Sequence, residues 1–397
     1  MAETRKASRF IVPVAVAGVA AATIGLVPAL AASGDPDLPE ITAAQLIEKI
    51  AASDTQTLSG TFRISTDLGL PALSGLASGL GGGGGTSSAD PTEKLTQLFS
   101  GSHTLRVAAD GPDRQKLTLL DGSDEYSLVH NGADVWAYDS KSREAFHEKI
   151  SGDRGDRGDR GEGPEGLPGT PKQLADEVLK AAGDTTSVTV GGTAKVAGRD
   201  AYQLVIKPKQ NGSTVESVKI AVDAATGTPL KFTLASVEGG KPVLDAGFTK
   251  VDFGRPAASE FDFKAPKGAK VTEGAAEKAG EDAGAESGGH GGPFGDALPG
   301  GLGGGLADLG GDGVNVIGEG WTTIAKLDTG APAPKTEDAP KEFQGFLDSF
   351  GDKVSGKFGS GTLFKTKLVN ALLTDDGKVY VGAVTKDTLV NAANAAK

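Results

Sequence analysis

The sequence contains no cysteine, one methionine and two tryptophans, and aromatic residues make up only 5% of its 397 residues. The absence of cysteine excludes disulfide bonds, thiolate metal sites, a cysteine nucleophile and a lipid-modified N-terminal cysteine. The low aromatic content, together with 60 glycines, predicts that much of the chain does not pack into a core. The folded part is therefore expected to be smaller than the length suggests.

Positive charge is also in deficit. The formal net charge is −12, which repels phosphate backbones and anionic lipid surfaces. Along the sequence no basic stripe with interleaved aromatic residues offsets this charge. Nucleic acid is therefore not expected as a partner.

Catalytic and metal-binding motifs are missing as well. The sequence has no Gly-x-Ser-x-Gly elbow, no His-Glu-x-x-His pair and no Gly-Lys followed by Ser or Thr. Its four histidines are His103, His130, His147 and His290. They show no metal-ligand spacing, and acidic pairs such as Asp375-Asp376 fall in predicted turns. The sequence predicts a protein that is not an enzyme and that needs no cofactor or metal.

The N-terminal residues resemble an export signal. Arg5, Lys6 and Arg9 precede the uncharged run Ile11–Ala31, which ends in the small-x-small form Ala29-Leu30-Ala31. We expect a signal peptide over 1–31 that is cleaved after Ala31, and hence a secreted protein of the extracytoplasmic cell envelope. The run is also about long enough to span a bilayer, so an uncleaved membrane anchor is the alternative.

Alternation of apolar and polar residues predicts a β-meander between 196 and 253. Its four strands are predicted over 196–207, 214–223, 230–237 and 244–253. The connectors Asn211-Gly212, Ala225-Thr226-Gly227 and Gly239-Gly240 supply residues that tolerate positive φ and favour antiparallel hairpins. In the last strand the apolar phase slips after Phe248, which predicts a β-bulge near Thr249.

Further elements are predicted on both sides of this meander. Strands are predicted over 58–66, 103–109, 114–121, 125–130, 133–139 and 143–150. A helix capped by Thr42 carries Leu46, Ile47 and Ile50 on one face, and a second helix is predicted over 170–183. Past 313, strands, a helix over 342–350 and a terminal helix are expected to extend the same sheet, because a separate unit of this size would bury only a thin core.

The predicted domain organisation begins with the signal peptide 1–31 and a linker over 32–41. A domain over 42–268 follows, with flexible inserts at 68–92 and 151–166, and then a disordered Gly/Ala/Glu-rich linker at 269–313 and a segment over 314–397. The first insert has leucines at helical spacing, so a mobile apolar flap is the alternative there. The second insert contains Arg-Gly-Asp tripeptides, the sole basis for a third functional class, a surface adhesion protein.

Several strand motifs resemble the LolA and RseB superfamily. They are Val196-Ala197-Gly198-Arg199, Tyr202-Gln203-Leu204-Val205, Ile220-Ala221-Val222-Asp223, Thr226-Gly227 and Pro229-Leu230. Two more stretches, over 101–107 and 131–138, resemble secreted LolA-like proteins of Gram-positive, actinobacterial type. The resemblance implies a mainly β fold with a few helices (α+β): an antiparallel, unclosed β-barrel with a helical lid.

The resemblance also implies a function. It favours an exported carrier that binds a lipid or an acylated lipoprotein and holds the acyl chains in a hydrophobic cavity. The alternative is an envelope-stress sensor of the RseB type, which would bind an anti-sigma factor or another membrane-associated regulatory protein. The candidate cavity residues are Leu58, Phe62, Ile64, Tyr202, Leu204, Ile206, Val218, Ile220, Leu230, Phe232 and Leu234, with Trp136 and Tyr138 near the rim. The other interpretation of these side chains is a core packed on the helices.

Overall fold

The computed structural model describes residues 35–69, 101–149, 184–273, 314–328 and 351–396. The predicted signal peptide, most of the first insert, the whole of the second insert, most of the linker, and the helices expected over 170–183 and 342–350 lie outside these ranges.

Within the described residues, twelve strands form the first sheet. They are β1 (Thr57–Thr66), β2 (Gly101–Asp110), β3 (Arg114–Asp121), β4 (Asp124–Asn131), β5 (Asp134–Asp139), β6 (Glu144–Lys149), β7 (Thr186–Val196), β8 (Arg199–Pro208), β9 (Val215–Asp223), β10 (Pro229–Ser236), β11 (Leu244–Asp252) and β12 (Lys270–Glu273). Their order across the sheet is β12-β6-β5-β4-β3-β2-β1-β11-β10-β9-β8-β7. The sheet is antiparallel except at its edge, where β12 runs parallel to β6. The predicted fold class, a mainly β protein with a large unclosed antiparallel sheet, is confirmed.

The predicted β-bulge is confirmed where β11 crosses β1. Thr61 pairs with Lys250 and Phe62 pairs with Phe248, so Thr249 is the extra residue. With this one extra residue, the strand pairs regularly with β1 both before and after the bulge. Phe248 consequently meets Phe62 edge-on, with ring centroids 5.2 Å apart.

Helix α1 (Ala43–Ala51) covers part of this sheet. Its capping box is reciprocal: the Gln45 amide donates to the Thr42 hydroxyl over 3.2 Å, and the Thr42 amide donates to the Gln45 side chain over 2.9 Å. Leu46 and Ile50 are fully buried, and the helix packs on β7 and β8. The helix predicted from the spacing of these apolar residues is therefore confirmed.

Contrary to expectation, the strands after residue 313 do not extend the first sheet. They are β13 (Val314–Ile317), β14 (Ile324–Asp328), β15 (Gly351–Gly356), β16 (Gly359–Phe364), β17 (Asn370–Thr374) and β18 (Lys378–Gly382), in the order β13-β14-β18-β17-β16-β15. Helix α2 (Lys386–Ala395) packs on β17 and β18. Leu363, Leu372, Tyr380 and Leu389 form a second core. Helix α2 covers the apolar face of this second sheet and so completes a separate core. The prediction from segment size did not include this contribution of the helix.

The two sheets are nevertheless joined by backbone hydrogen bonds and shared apolar contacts. The Thr214 amide donates to the Ala383 carbonyl over 3.0 Å, and the Lys367 amide donates to the Leu68 carbonyl over 2.9 Å. Leu368, in the connection between β16 and β17, belongs to the core of the first sheet. In the described ranges, neither helix is long and apolar enough to cross a membrane.

Candidate functional site: the inner face of the large sheet

One face of the twelve-stranded sheet carries the main apolar core, and we call it the inner face. Residues paired across antiparallel strands project from the same face. Buried members come from α1 and from nine strands, β1 to β5 and β8 to β11. The inner face is therefore one continuous apolar surface across most of the sheet.

The half of this face around β8, β9 and β10 is sealed. Leu204, Ile206, Ile220 and Phe232 have no exposed surface, and they belong to one cluster with Leu46 and other buried side chains. Close packing of this kind leaves no room for a ligand beside these atoms. In this half the core interpretation of the sequence holds.

Hydrogen bonds fix α1 in place at its C-terminal end. The Thr228 hydroxyl, in the turn between β9 and β10, lies 3.2 Å from the Ser53 hydroxyl and 2.7 Å from the Thr55 hydroxyl. Beside it, Gly227 has a positive φ of 75°. A Cβ atom there would lie 2.3 Å from the Lys49 carbonyl oxygen. Only glycine allows the turn to approach the helix this closely.

The chain before α1 is also held to the sheet. The Tyr202 hydroxyl donates to the Pro39 carbonyl over 3.0 Å, and the Thr193 hydroxyl donates to the Pro36 carbonyl over 2.8 Å. With both flanks bonded to strands or turns, α1 is a fixed cover over β7 and β8.

A buried ion pair organises the same turn. Asp223, whose side chain is 1% exposed, accepts hydrogen bonds from Arg199 and from the backbone amides of Ala225 and Thr226. Burial works to raise the pKa of Asp223, but the Arg199 and Thr226 hydrogen bonds outweigh it and hold this pKa below its usual range. The Asp223 carboxylate also raises the pKa of Arg199. The pair has a structural role, because the Asp223 carboxylate binds the backbone amides of the turn that follows it.

The other half of the inner face is more open. A row of paired residues crosses five strands: Val107, Leu117, Leu128, Ala137 and Phe146. We call it the open row. Val107, Leu117 and Phe146 are only partly buried, whereas Leu128 and Ala137 are buried. The row therefore leaves apolar surface uncovered at Val107 and Leu117 on one side and at Phe146 on the other, and uncovered apolar surface is a feature of binding sites.

Nine of the predicted cavity residues lie together in the inner-face cluster. They are Phe62, Ile64, Tyr202, Leu204, Ile206, Val218, Ile220, Phe232 and Leu234. Leu58 is half-buried at the start of β1 and lies outside the set of buried core residues.

Leu230 projects from the opposite, outer face. Pro229 pairs with Val222 and Lys231 pairs with Ala221, so Leu230 is the extra residue of a bulge. It packs with Ala201 and Ala221. The bulge reverses the direction that simple alternation with Phe232 predicts.

Trp136 and Tyr138 also lie on the outer face and not at a cavity rim. Ala137, between them, is the member that faces the core. The Trp136 ring stacks on the His147 ring, with centroids 3.9 Å apart. The Phe263 ring lies beside both aromatic rings, with its centroid 5.4 Å from that of Trp136 and 5.7 Å from that of Tyr138. Both ring nitrogens of His147 face carboxylates, of Glu273 at 2.8 Å and of Asp134 at 2.9 Å. This cluster attaches β12 to the sheet.

Sequence reasoning missed the inner-face residues of β2 to β5. They are Leu105, Leu119, Tyr126, Leu128 and Ala137, with Trp321 and Leu368 added from the second sheet. For Leu105 and Leu119 the sequence does contain a usable signal, because each lies two positions from another apolar residue, Val107 and Leu117 respectively. Nothing local marks Trp321 or Leu368, because their neighbours in the core are more than a hundred positions away in sequence.

Comparison with known proteins gives structural likeness only. No family model matches the sequence, and no curated protein matches it. A MucA/MucB complex structure from Pseudomonas aeruginosa matches at 16% identity over 88% of this chain and 96% of that one, with a TM-score of 0.36. A LolA superfamily protein from Nitrosomonas europaea matches at 10% identity over 56% and 99%, with a TM-score of 0.21.

A third solved structure, a putative outer membrane lipoprotein-sorting protein domain from Vibrio parahaemolyticus, matches at 12% identity over 56% of this chain and 96% of that one, with a TM-score of 0.21. These names agree with the superfamily that the strand motifs resemble. At TM-scores below 0.5 they carry no argument of their own. The fold assignment therefore rests on the strand order and the open sheet.

Proposed function

We propose that this protein is a non-enzymatic, extracytoplasmic binding protein that holds an acyl chain, of a lipid or an acylated lipoprotein, along the open row. The observation that carries the proposal is the difference between the two halves of the inner face. Around β8 to β10 the apolar residues are sealed, whereas Val107, Leu117 and Phe146 keep exposed surface. An apolar ligand gains free energy only where such surface remains to be covered.

The dimensions of the open row suit a single chain. Its five strands are separated by four spacings of about 4.8 Å, so the row is roughly 19 Å long. Its members carry no charge or hydrogen-bonding group along that length, which an extended hydrocarbon requires. The ligand would therefore lie across the strands.

A polar row lies beside it and offers contacts to a head group. Gln115 pairs with His130 on the same inner face, two residues along from Leu117 and Leu128. Both side chains are partly exposed. An apolar groove with a few polar groups at one border is the usual composition of a site for an amphiphile.

Mass spectrometry of organic extracts from the exported protein tests the proposal. We expect stoichiometric lipid with the native protein, and much less with Val107→Asp, which puts a carboxylate into the open row. An extract free of lipid, together with capture of a membrane-anchored regulatory protein, would instead favour the sensor function implied by the RseB resemblance.

A further inference from the structure

The outer face of the large sheet carries a band of positive charge that the sequence does not reveal. Six adjacent strands, β8, β9, β10, β11, β1 and β2, each contribute one cation to it. These are Lys207, Lys219, Lys231, Lys250, Arg63 and Arg106, which we call the basic band. We propose that the basic band is a docking surface for an anionic lipid membrane.

The strand register brings the band together. Lys250 and Arg106 both pair with Thr61, one from each side. Arg63 and Lys231 both pair with Gly247 in the same way. Lys219 pairs with Thr233, two residues from Lys231. Residues paired in this manner project from one face, so these cations share the face opposite the apolar core.

Five of the six cations are exposed, and among the described residues no ion pair neutralises these five. Arg63, Arg106, Lys207, Lys219 and Lys250 are all exposed. In the described part of the chain, the sixth cation, Lys231, forms an ion pair with Asp245 at 2.9 Å. The register places Asp245 and Asp252 among the six cations. The band is therefore positive on a protein whose net charge is −12.

The arrangement favours a membrane over a small anion. Five strand spacings of about 4.8 Å spread the band over roughly 24 Å, so its charges do not converge on one phosphate. Between them lie the short polar residues Thr61 and Thr233. An extended array of this kind complements a plane of anionic head groups.

The net negative charge makes this attraction depend on orientation. Screening at physiological salt limits the reach of charges to about 8 Å. At that range the membrane meets the basic band and little of the acidic remainder. The inference does not depend on acyl-chain binding, because the band lies on the opposite face from the open row.

Co-sedimentation with phosphatidylcholine vesicles, with and without phosphatidylglycerol, tests the docking surface. We expect binding that requires phosphatidylglycerol and weakens with salt. Vesicles of phosphatidylcholine alone control for binding by the apolar N-terminal run. The triple variant Arg63→Glu, Arg106→Glu, Lys250→Glu should reduce the partition coefficient at least about tenfold, since each cation near an anionic surface contributes several-fold.

A matched variant makes the same charge change elsewhere. Lys264, Lys267 and Lys357 are exposed and lie outside the band, and their triple replacement by glutamate should leave most of the binding intact. Equal loss in both triple variants would overturn the proposal, because it would indicate a response to net charge alone. Wild-type protein that binds neutral and anionic vesicles equally, or binds neither, would overturn it as well.

Discussion

At the scale of single residues, the Arg199 and Asp223 pair has a large energetic role for a contact near the surface. Asp223 is 1% exposed and is held by several donors, whereas Arg199 keeps 34% of its side chain exposed. Exposed pairs contribute little, but loss of a buried charged acceptor leaves several donors without their partner. The aspartate is therefore the sensitive member.

Asp223→Asn should lower the free energy of unfolding by about 2 kcal/mol at neutral pH. The folded pKa of Asp223 lies below its unfolded value, so the stabilisation is present above about pH 4 and is lost as the pH falls through the folded pKa. Urea unfolding of both proteins between neutral and acid pH should show the difference shrinking below about pH 4.

Asp245→Asn is the control for this measurement. Asp245 also pairs with a lysine, but its side chain is 36% exposed, so its removal should cost less than about 1 kcal/mol. A constant difference between wild type and Asp223→Asn down to strongly acid pH would contradict the assigned role of the carboxylate.

Residue-scale prediction from sequence succeeded where alternation was unbroken. Phe62, Ile64, Leu204 and Phe232 lie where period two places them. Leu230 does not, because it is the extra residue of a bulge. The spacing of Leu230, Phe232 and Leu234 fits a regular strand, so the hydrophobic pattern does not reveal the bulge. Trp136 and Tyr138 alternate with Ala137, which faces the core, and this alternation alone places both rings on the opposite face and not at the predicted rim.

At the scale of elements, α1 is a fixed cover because the turn between β9 and β10 approaches it closely. Gly227 has φ of 75°, and a Cβ atom there would meet the Lys49 carbonyl at 2.3 Å. Backbone atoms cannot yield as a flexible side chain can. The turn chemistry was readable from Ala225-Thr226-Gly227, but the contact with the helix was not, since it joins residues far apart in sequence.

Gly227→Ala should therefore be strongly destabilising, by roughly 2 kcal/mol or more, from the left-handed φ together with displacement of α1. Gly132→Ala is the matched control, because Gly132 has φ of 66° with no atom within 4 Å of its added Cβ. Thermal unfolding measures both variants, and hydrogen exchange of the α1 amides reports on the helix. Equal costs for the two variants would show that contact with the helix is unimportant.

At the scale of the whole molecule, the second sheet is attached to the first through their cores. Trp321 donates from its indole nitrogen to the Thr186 hydroxyl over 2.8 Å, and Leu368 is 6% exposed within the first core. The Lys367 and Asp67 ion pair, at 2.7 Å, is partly exposed and adds little by comparison. The hydrogen bond from Lys367 is the main reason that the pKa of Asp67 is lowered.

Leu368→Ala should destabilise the protein by about 2 to 4 kcal/mol, the usual cost of emptying a buried leucine site. Leu368 lies between two strands of the second sheet but packs in the core of the first sheet. Because this contact couples the two sheets, we expect the wild-type protein to unfold in a single transition. Scanning calorimetry measures both quantities. Two separate transitions in wild type, of which only one moves in the variant, would contradict this coupling.

The whole-molecule organisation was the least predictable level. The strands after residue 313 were recognised in outline, but their separate sheet depends on pairings such as β14 with β18, which no local pattern specifies. The basic band likewise arises only when strands distant in sequence are placed side by side. The periodicity of apolar residues predicts individual helices and strands. The order and pairing register of the strands determine which surfaces these elements form together.

The most direct test of the account is binding of a dansyl-labelled fatty acid by two single variants of β2. Val107 lies in the open row, and Thr104, on the same strand, faces outward; both are partly exposed. The account predicts that Val107→Asp abolishes the fluorescence increase while Thr104→Asp, which adds the same charge, retains it, with circular dichroism confirming that both are folded. Equal binding by Val107→Asp and wild type would contradict acyl-chain binding along the inner face.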